Sequence, residues 1–247
     1  MDINQESTEL TVGGKLLSQV VNIAMKIPGM EVNRREFLQN NLAVYYERYG
    51  EDLIDKGPIK AGVPPEEIKK IGNAVVNYHT ALATSASTAL GVPGGLAMAG
   101  TIPADLGQYY GQLMIVGQKL AYLYGLPDLK NGTEKIRMEM LFGLLALMFG
   151  QTGNQLAQLV LNNYAKQFSK IILKNGGTKL APYQMINLCA KLLGFDKLTK
   201  TTAANVLRKA VPFVGAIISG IFTLGTFKPA GNRLNNYFYK EYKALSK

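Results

Sequence analysis

Residues Leu106–Leu123, LGQYYGQLMIVGQKLAYL, decide the fold class of this 247-residue chain. Leu106, Tyr109, Leu113, Val116, Leu120 and Leu123 recur at alternating steps of three and four, the period at which an α-helix returns an apolar stripe to one face. Gly107 and Gly111 lie one turn apart on the same helix, a spacing that lets a second helix approach closely. Upstream, Pro103 and Asp105 suit the first turn of this helix, where proline loses no hydrogen bond and a carboxylate meets the positive helix end.

The same period governs the rest of the chain. Asn33 followed by Glu36 resembles a capping box, and Leu38, Leu42, Tyr45 and Tyr49 then predict one amphipathic helix. Pro64, Pro65, Glu66 and Glu67 open another helix, with a stripe of Ile68, Ile71, Val75, Tyr78 and Leu82. Gly91-Val-Pro-Gly-Gly95 should end it. Further helices are expected near 134–149, 154–174, 182–193, 200–210, 212–225 and 231–244, and residues 1–12 read as loosely attached. No strand alternation competes. The expected fold is all-α, a multi-helix bundle with glycine-rich helix contacts, divided into an N-terminal helical segment, 1–62, and a larger helical domain, 63–247, in one continuous fold.

The charge is one-sided. The net charge of +10 divides into 10 Lys/Arg against 12 Asp/Glu over residues 1–125 and 17 against 5 over 126–247. A basic half of this kind attracts an anionic membrane, nucleic acid or an acidic partner, or forms a solvated face. Candidate anion-binding residues are Lys166, Lys170, Lys174, Lys200, Arg208, Lys209, Arg233, Lys240 and Lys243. The C-terminal interleaving of Arg233, Tyr237, Tyr239, Lys240, Tyr242 and Lys243 suits stacked bases or a lipid headgroup zone, but no helix-turn-helix, RRM, KH or zinc-finger pattern accompanies it. Val211–Phe227 is uncharged for 17 residues, at the lower limit for spanning a bilayer, and packs more economically as a core helix.

Familiar catalytic patterns are missing from the sequence. No complete phosphate loop occurs, Thr11-Val-Gly-Gly-Lys15 being a fragment, and the glycines of 91–100 follow no strand, so neither ATP nor NAD is expected as a cofactor. One histidine and one cysteine cannot form a His/Cys zinc site within the chain. Cys189 falls on an apolar helical face and reads as a small buried hydrophobe, which together with an acidic N-terminus fits a cytoplasmic protein. Two side chains stay as catalytic candidates. His79 is a structural or surface histidine, or an acid-base group; Asp105 is a first-turn carboxylate, or an acid facing Tyr109, Arg233 or a ligand.

Two segments resemble the EcsC family: LGVPGGLAMAGTIPADLGQYYGQLMIVGQKLAYLYG (Leu90–Gly125) in its glycine-rich turn, Pro-Ala-Asp-Leu element and helix ending in Tyr-Gly, and KAVPFVGAIISGIFTLGTFKPAGNRLNNYFYKEY (Lys209–Tyr242) in its proline-glycine helix and basic aromatic helix. Together they cover 70 residues. The resemblance implies a bacterial, helical, membrane-associated protein with no agreed catalytic residues, so it carries no active site across. The expected function is peripheral association with anionic membrane, or with a membrane-protein partner, through the basic C-terminal half. Alternatives are a bundle that binds lipid or an apolar ligand, and an enzyme acting at the membrane surface.

Overall fold

The computed structural model describes residues 9–27, 29–90, 98–126, 128–131, 134–149 and 220–245, together with Tyr183, Ile186, Asn187, Ala190 and Lys191. Of these, 85–90, 98–106, 131, 134–136, 139, 146, 220–223, 244 and 245 are described by their backbone alone. Helices α1 (Val12–Ala24), α2 (Arg34–Asn41), α3 (Ala43–Tyr49), α4 (Glu51–Asp55), α5 (Pro65–Leu90), α6 (Met98–Leu123), α7 (Glu134–Phe149) and α8 (Gly220–Leu245) follow one another, with a 3-10 turn at Leu129–Asn131. The described residues are 81% helical and contain no strand, so the chain is an all-α bundle.

Helix α6 is the axis. From Tyr109 to Tyr124 every residue is buried except Lys119, the pattern of a helix that is apolar all round and surrounded by others. Helices α1, α2, α5, α7 and α8 all pack against it. Its buried Leu113, Met114, Leu120 and Tyr122 share one core with Leu17 and Val20 of α1, Leu38 of α2, Phe142 and Leu145 of α7, and Phe227 and Leu234 of α8. Residues of 1–62 and of 63–247 therefore line the same core.

The glycine pair works as its spacing suggests. A methyl group on Gly107 would lie 2.9 Å from Cβ of Ile23, and one on Gly111 would meet Ile27 and Ala24, so the α1 chain lies against the bare backbone of α6. Gly107→Val is expected to destabilise the fold by about 1–3 kcal/mol, the usual cost of overpacking a filled contact. An unchanged urea midpoint would show that α1 does not sit there.

Helix α8 runs antiparallel to α5, since Gly231 meets Val76, Asn235 meets Gly72, Tyr239 bonds Glu66, and Tyr242 donates to the Val63 carbonyl at 2.6 Å.

Several sequence expectations need correction. The helix expected after Asn33 is capped as read, Asn33 Oδ1 accepting from Glu36 N at 3.2 Å, but it breaks at Leu42. There the Asn41 side-chain amide takes the Phe37 carbonyl at 2.8 Å, competing with the helix's own bond. Helix α6 starts at Met98, so Pro103 and Asp105 lie beyond its first turn and the first-turn role of Asp105 falls. On α5, Tyr78 and Leu82 are exposed, while Ile68, Gly72, Val75, Val76, His79, Thr80 and Ala83 face the core. The expected helices 212–225 and 231–244 join from Gly220 onward into one helix that passes through Pro229. Residues 9–11 are tied down: Asn187 accepts from Thr11 N at 2.9 Å and donates to the Glu9 carbonyl at 3.0 Å. Thr11 caps α1 by accepting from Gly14 N at 3.0 Å, so this glycine-containing fragment serves as a helix start. The expected helices 154–174 and 200–210, and Cys189, lie outside the described residues.

Candidate functional site

Two features stand out once the core is accounted for: a cationic face on α8 and a buried polar cluster between α5 and α6. On α8, a residue every 100° places Lys228, Arg233, Lys240 and Lys243 within an arc of about 140°. All four are exposed, with Asn232 and Asn236 between them, while Phe227, Ala230, Leu234, Phe238 and Tyr242 are buried on the opposite arc. Glu241 is the single acid of this helix. Two of the cations have partners. Arg233 donates to the Met148 carbonyl of α7 at 2.6 Å, and Lys243 pairs with Glu66 of α5 at 3.2 Å. The Glu66 carboxylate also accepts from the Tyr239 hydroxyl, and these two bonds hold it below the usual carboxylate range. Lys69 lies over the Tyr239 ring at 4.4 Å. Of the sequence candidates, Arg233, Lys240 and Lys243 thus share one face; Lys166, Lys170, Lys174, Lys200, Arg208 and Lys209 lie outside the described residues.

His79 is only 4% exposed, so it is no surface histidine. Its Nδ1 lies 2.8 Å from Gln112 Oε1, and Lys119 Nζ lies 2.9 Å from its Nε2. An amide oxygen accepts and an amine donates, so the ring proton sits on Nδ1 and Nε2 is the acceptor. Burial lowers the imidazole pKa to about 4; the Gln112 bond opposes this shift and the nearby Lys119 charge adds to it, leaving the ring neutral at pH 7. Gln112 and Lys119 were not legible as partners, because they lie 33 and 40 residues away in the chain.

Asp105 has its backbone in α6 and its side chain outside the description. Of the groups expected to face it, the Tyr109 hydroxyl donates to Thr226 at 2.9 Å and Arg233 donates to the Met148 carbonyl.

Sequence reading also passed over two buried polar anchors. Arg34 donates from Nε to the Leu126 carbonyl at 2.9 Å and from Nη1 to that of Ile54 at 2.6 Å. It thereby ties α2 and α4 to the turn after α6. Asn235 of α8 is fully buried; its Oδ1 accepts from the Tyr124 hydroxyl at 2.8 Å, and its Nδ2 donates to Asn73 Oδ1 at 2.9 Å and to the Lys69 carbonyl at 3.2 Å.

Among the described residues no cluster of three His, Cys, Asp or Glu could hold a metal ion, and no helix is long and apolar enough to cross a membrane. No family model, curated protein or solved structure matches the chain.

Proposed function

We propose that this is an EcsC-like helical protein that docks peripherally on an anionic membrane, at the cytoplasmic face, through its basic C-terminal half. The observation that carries the reading is the outward face of α8, where Lys228, Arg233, Lys240 and Lys243 stand exposed in one arc, with Glu241 the helix's only acid. Tyr237 and Tyr239, half-buried beside them, combine an apolar ring with a polar end, as residues at a headgroup boundary do.

A lipid-filled bundle has less support. At Gly72, Gly107, Gly117 and Gly231 the space a side chain would take is filled by Asn235, Ile23, Leu144 and Val76. For an enzymatic reading built on His79, the ring nitrogens face Gln112 and Lys119 of the protein itself.

Each cation near an anionic surface contributes about 1 kcal/mol, so binding should be reversible and lost at high salt. Sedimentation with vesicles is expected to show binding when phosphatidylserine is present and none to neutral vesicles. Changing Lys228, Arg233 and Lys240 together to Gln should weaken it by roughly a hundredfold, three such contributions being removed. Equal binding to neutral vesicles, or none to either kind, overturns the proposal.

A further inference from the structure

Lys119 is the one residue between Tyr109 and Tyr124 that the bundle leaves partly open. Its surroundings are unusual for a lysine. The Nζ atom donates to His79 Nε2 at 2.9 Å and lies 5.7 Å from the centre of the Phe37 ring on α2. No carboxylate among the described residues pairs with it, and Met114, Ile115, Val116 and Leu120 of its own helix are buried around its base. A lysine placed for stability would carry its charge to an acid or to open water. This one ends on a neutral imidazole, and burial lowers its pKa. A partly desolvated amine without a counter-charge is the kind that forms imines in proteins.

The arrangement has three members. Lys119 supplies a nucleophile, His79 a base within hydrogen-bond reach, and Gln112 Oε1 holds the Nδ1 proton so that Nε2 keeps its lone pair toward the amine.

We propose that Lys119 is a covalent site for a small carbonyl compound, an aldehyde or ketone, which it binds as an imine, with His79 as the group that moves the proton and Gln112 as a positioning residue. The neutral amine keeps one N–H on His79 Nε2 and attacks the carbonyl carbon with its lone pair. The C–N bond forms as the carbonyl π electrons move to oxygen. His79 Nε2 takes a proton from the nitrogen and returns it to that oxygen. His79 Nε2 then carries the remaining amine proton to the hydroxyl, the C–O bond breaks as water leaves, and the nitrogen electron pair forms the C=N bond. The two amine hydrogens and the carbonyl oxygen leave together as water, His79 ends neutral, and nothing is oxidised or reduced.

The test is competitive labelling of the full chain with limiting isotopic formaldehyde and cyanoborohydride at pH 7, stopped early and mapped by peptide mass spectrometry. Formaldehyde is small enough to enter a half-open site, and cyanoborohydride reduces the imine to a stable amine. Lys119 should label several times faster than exposed Lys70 and Lys240, since burial lowers its pKa and raises its share of neutral amine. Its labelling should also reach half-maximum at lower pH than theirs. His79→Gln keeps an acceptor but loses the base, and should bring Lys119 down toward the rate of Lys70. Labelling of Lys119 no faster than Lys70 and Lys240 in the unaltered protein overturns the proposal, whatever the variant does. A folded His79→Gln protein that labels Lys119 at full speed removes His79 from it.

Discussion

Replacing Asn235 with alanine is expected to cost about 3 kcal/mol of stability, read as a lower urea midpoint. The side chain is fully buried where α8 crosses α5 and α6, and it satisfies the Tyr124 hydroxyl, the Asn73 side chain and the Lys69 carbonyl at once. Truncation leaves these groups facing a small void, and a buried polar group without a partner loses about 1–3 kcal/mol. Gly72 adds to the effect. A methyl there would fall 2.8 Å from Asn235 Cγ, so α5 has conceded its own side-chain volume to this one residue. Tyr124→Phe removes only one of the bonds and should cost about 1 kcal/mol. A loss below about 1 kcal/mol in Asn235→Ala would mean that water or a shifted helix replaces the network.

Acidification is expected to weaken the fold through His79. In the unfolded chain the imidazole titrates near 6.5, whereas in the fold burial lowers it to about 4, a shift that the Lys119 charge reinforces and the Gln112 bond opposes. Between those values the unfolded state binds a proton that the folded state refuses. Stability is therefore unaffected by this group above pH 6.5 and falls as the pH drops, by about 1.4 kcal/mol per unit, until the folded imidazole itself protonates. The full effect is on the order of 3 kcal/mol. Carboxylates also titrate in this range, Glu51 and Glu66 being held low by their partners, so the informative quantity is a difference. The gap between wild type and His79→Gln should narrow steadily from pH 7 to pH 4.5. Parallel stability curves for the two proteins would show that His79 is solvated or already protonated in the fold.

The axis of the bundle was legible because its helix is apolar on every side, so any stripe drawn along it points inward. Helix α5 shows the opposite case. A count of apolar residues selected Tyr78 and Leu82, yet the core takes Gly72, His79 and Thr80, because close backbone approach and a hydrogen bond to another helix outweigh hydrophobicity at those positions. The break at Leu42 escaped notice for a similar reason. Leu42 keeps the apolar spacing and is buried, and the side-chain bond that accompanies the break is made by its polar neighbour Asn41. Pro229 is accommodated inside α8 because it forfeits only the bond to the Gly225 carbonyl, and since both residues are exposed, water can take that carbonyl. The exposed cations of α8 could be read from sequence because charges at helical spacing opposite an apolar stripe point outward. The His79 cluster could not, because nothing local marks Gln112 or Lys119 as its partners.

The way α6 is enclosed has a consequence for biogenesis. Part of its wrapping comes from α8, whose Asn235 meets Tyr124 from 111 positions further along the chain. At ribosomal speeds of about 5–20 residues per second, the central rod waits several seconds, still wet on one flank, for its last cover to be synthesised. A nascent chain in that interval presents a continuous sticky surface, and chaperone attendance should be concentrated there.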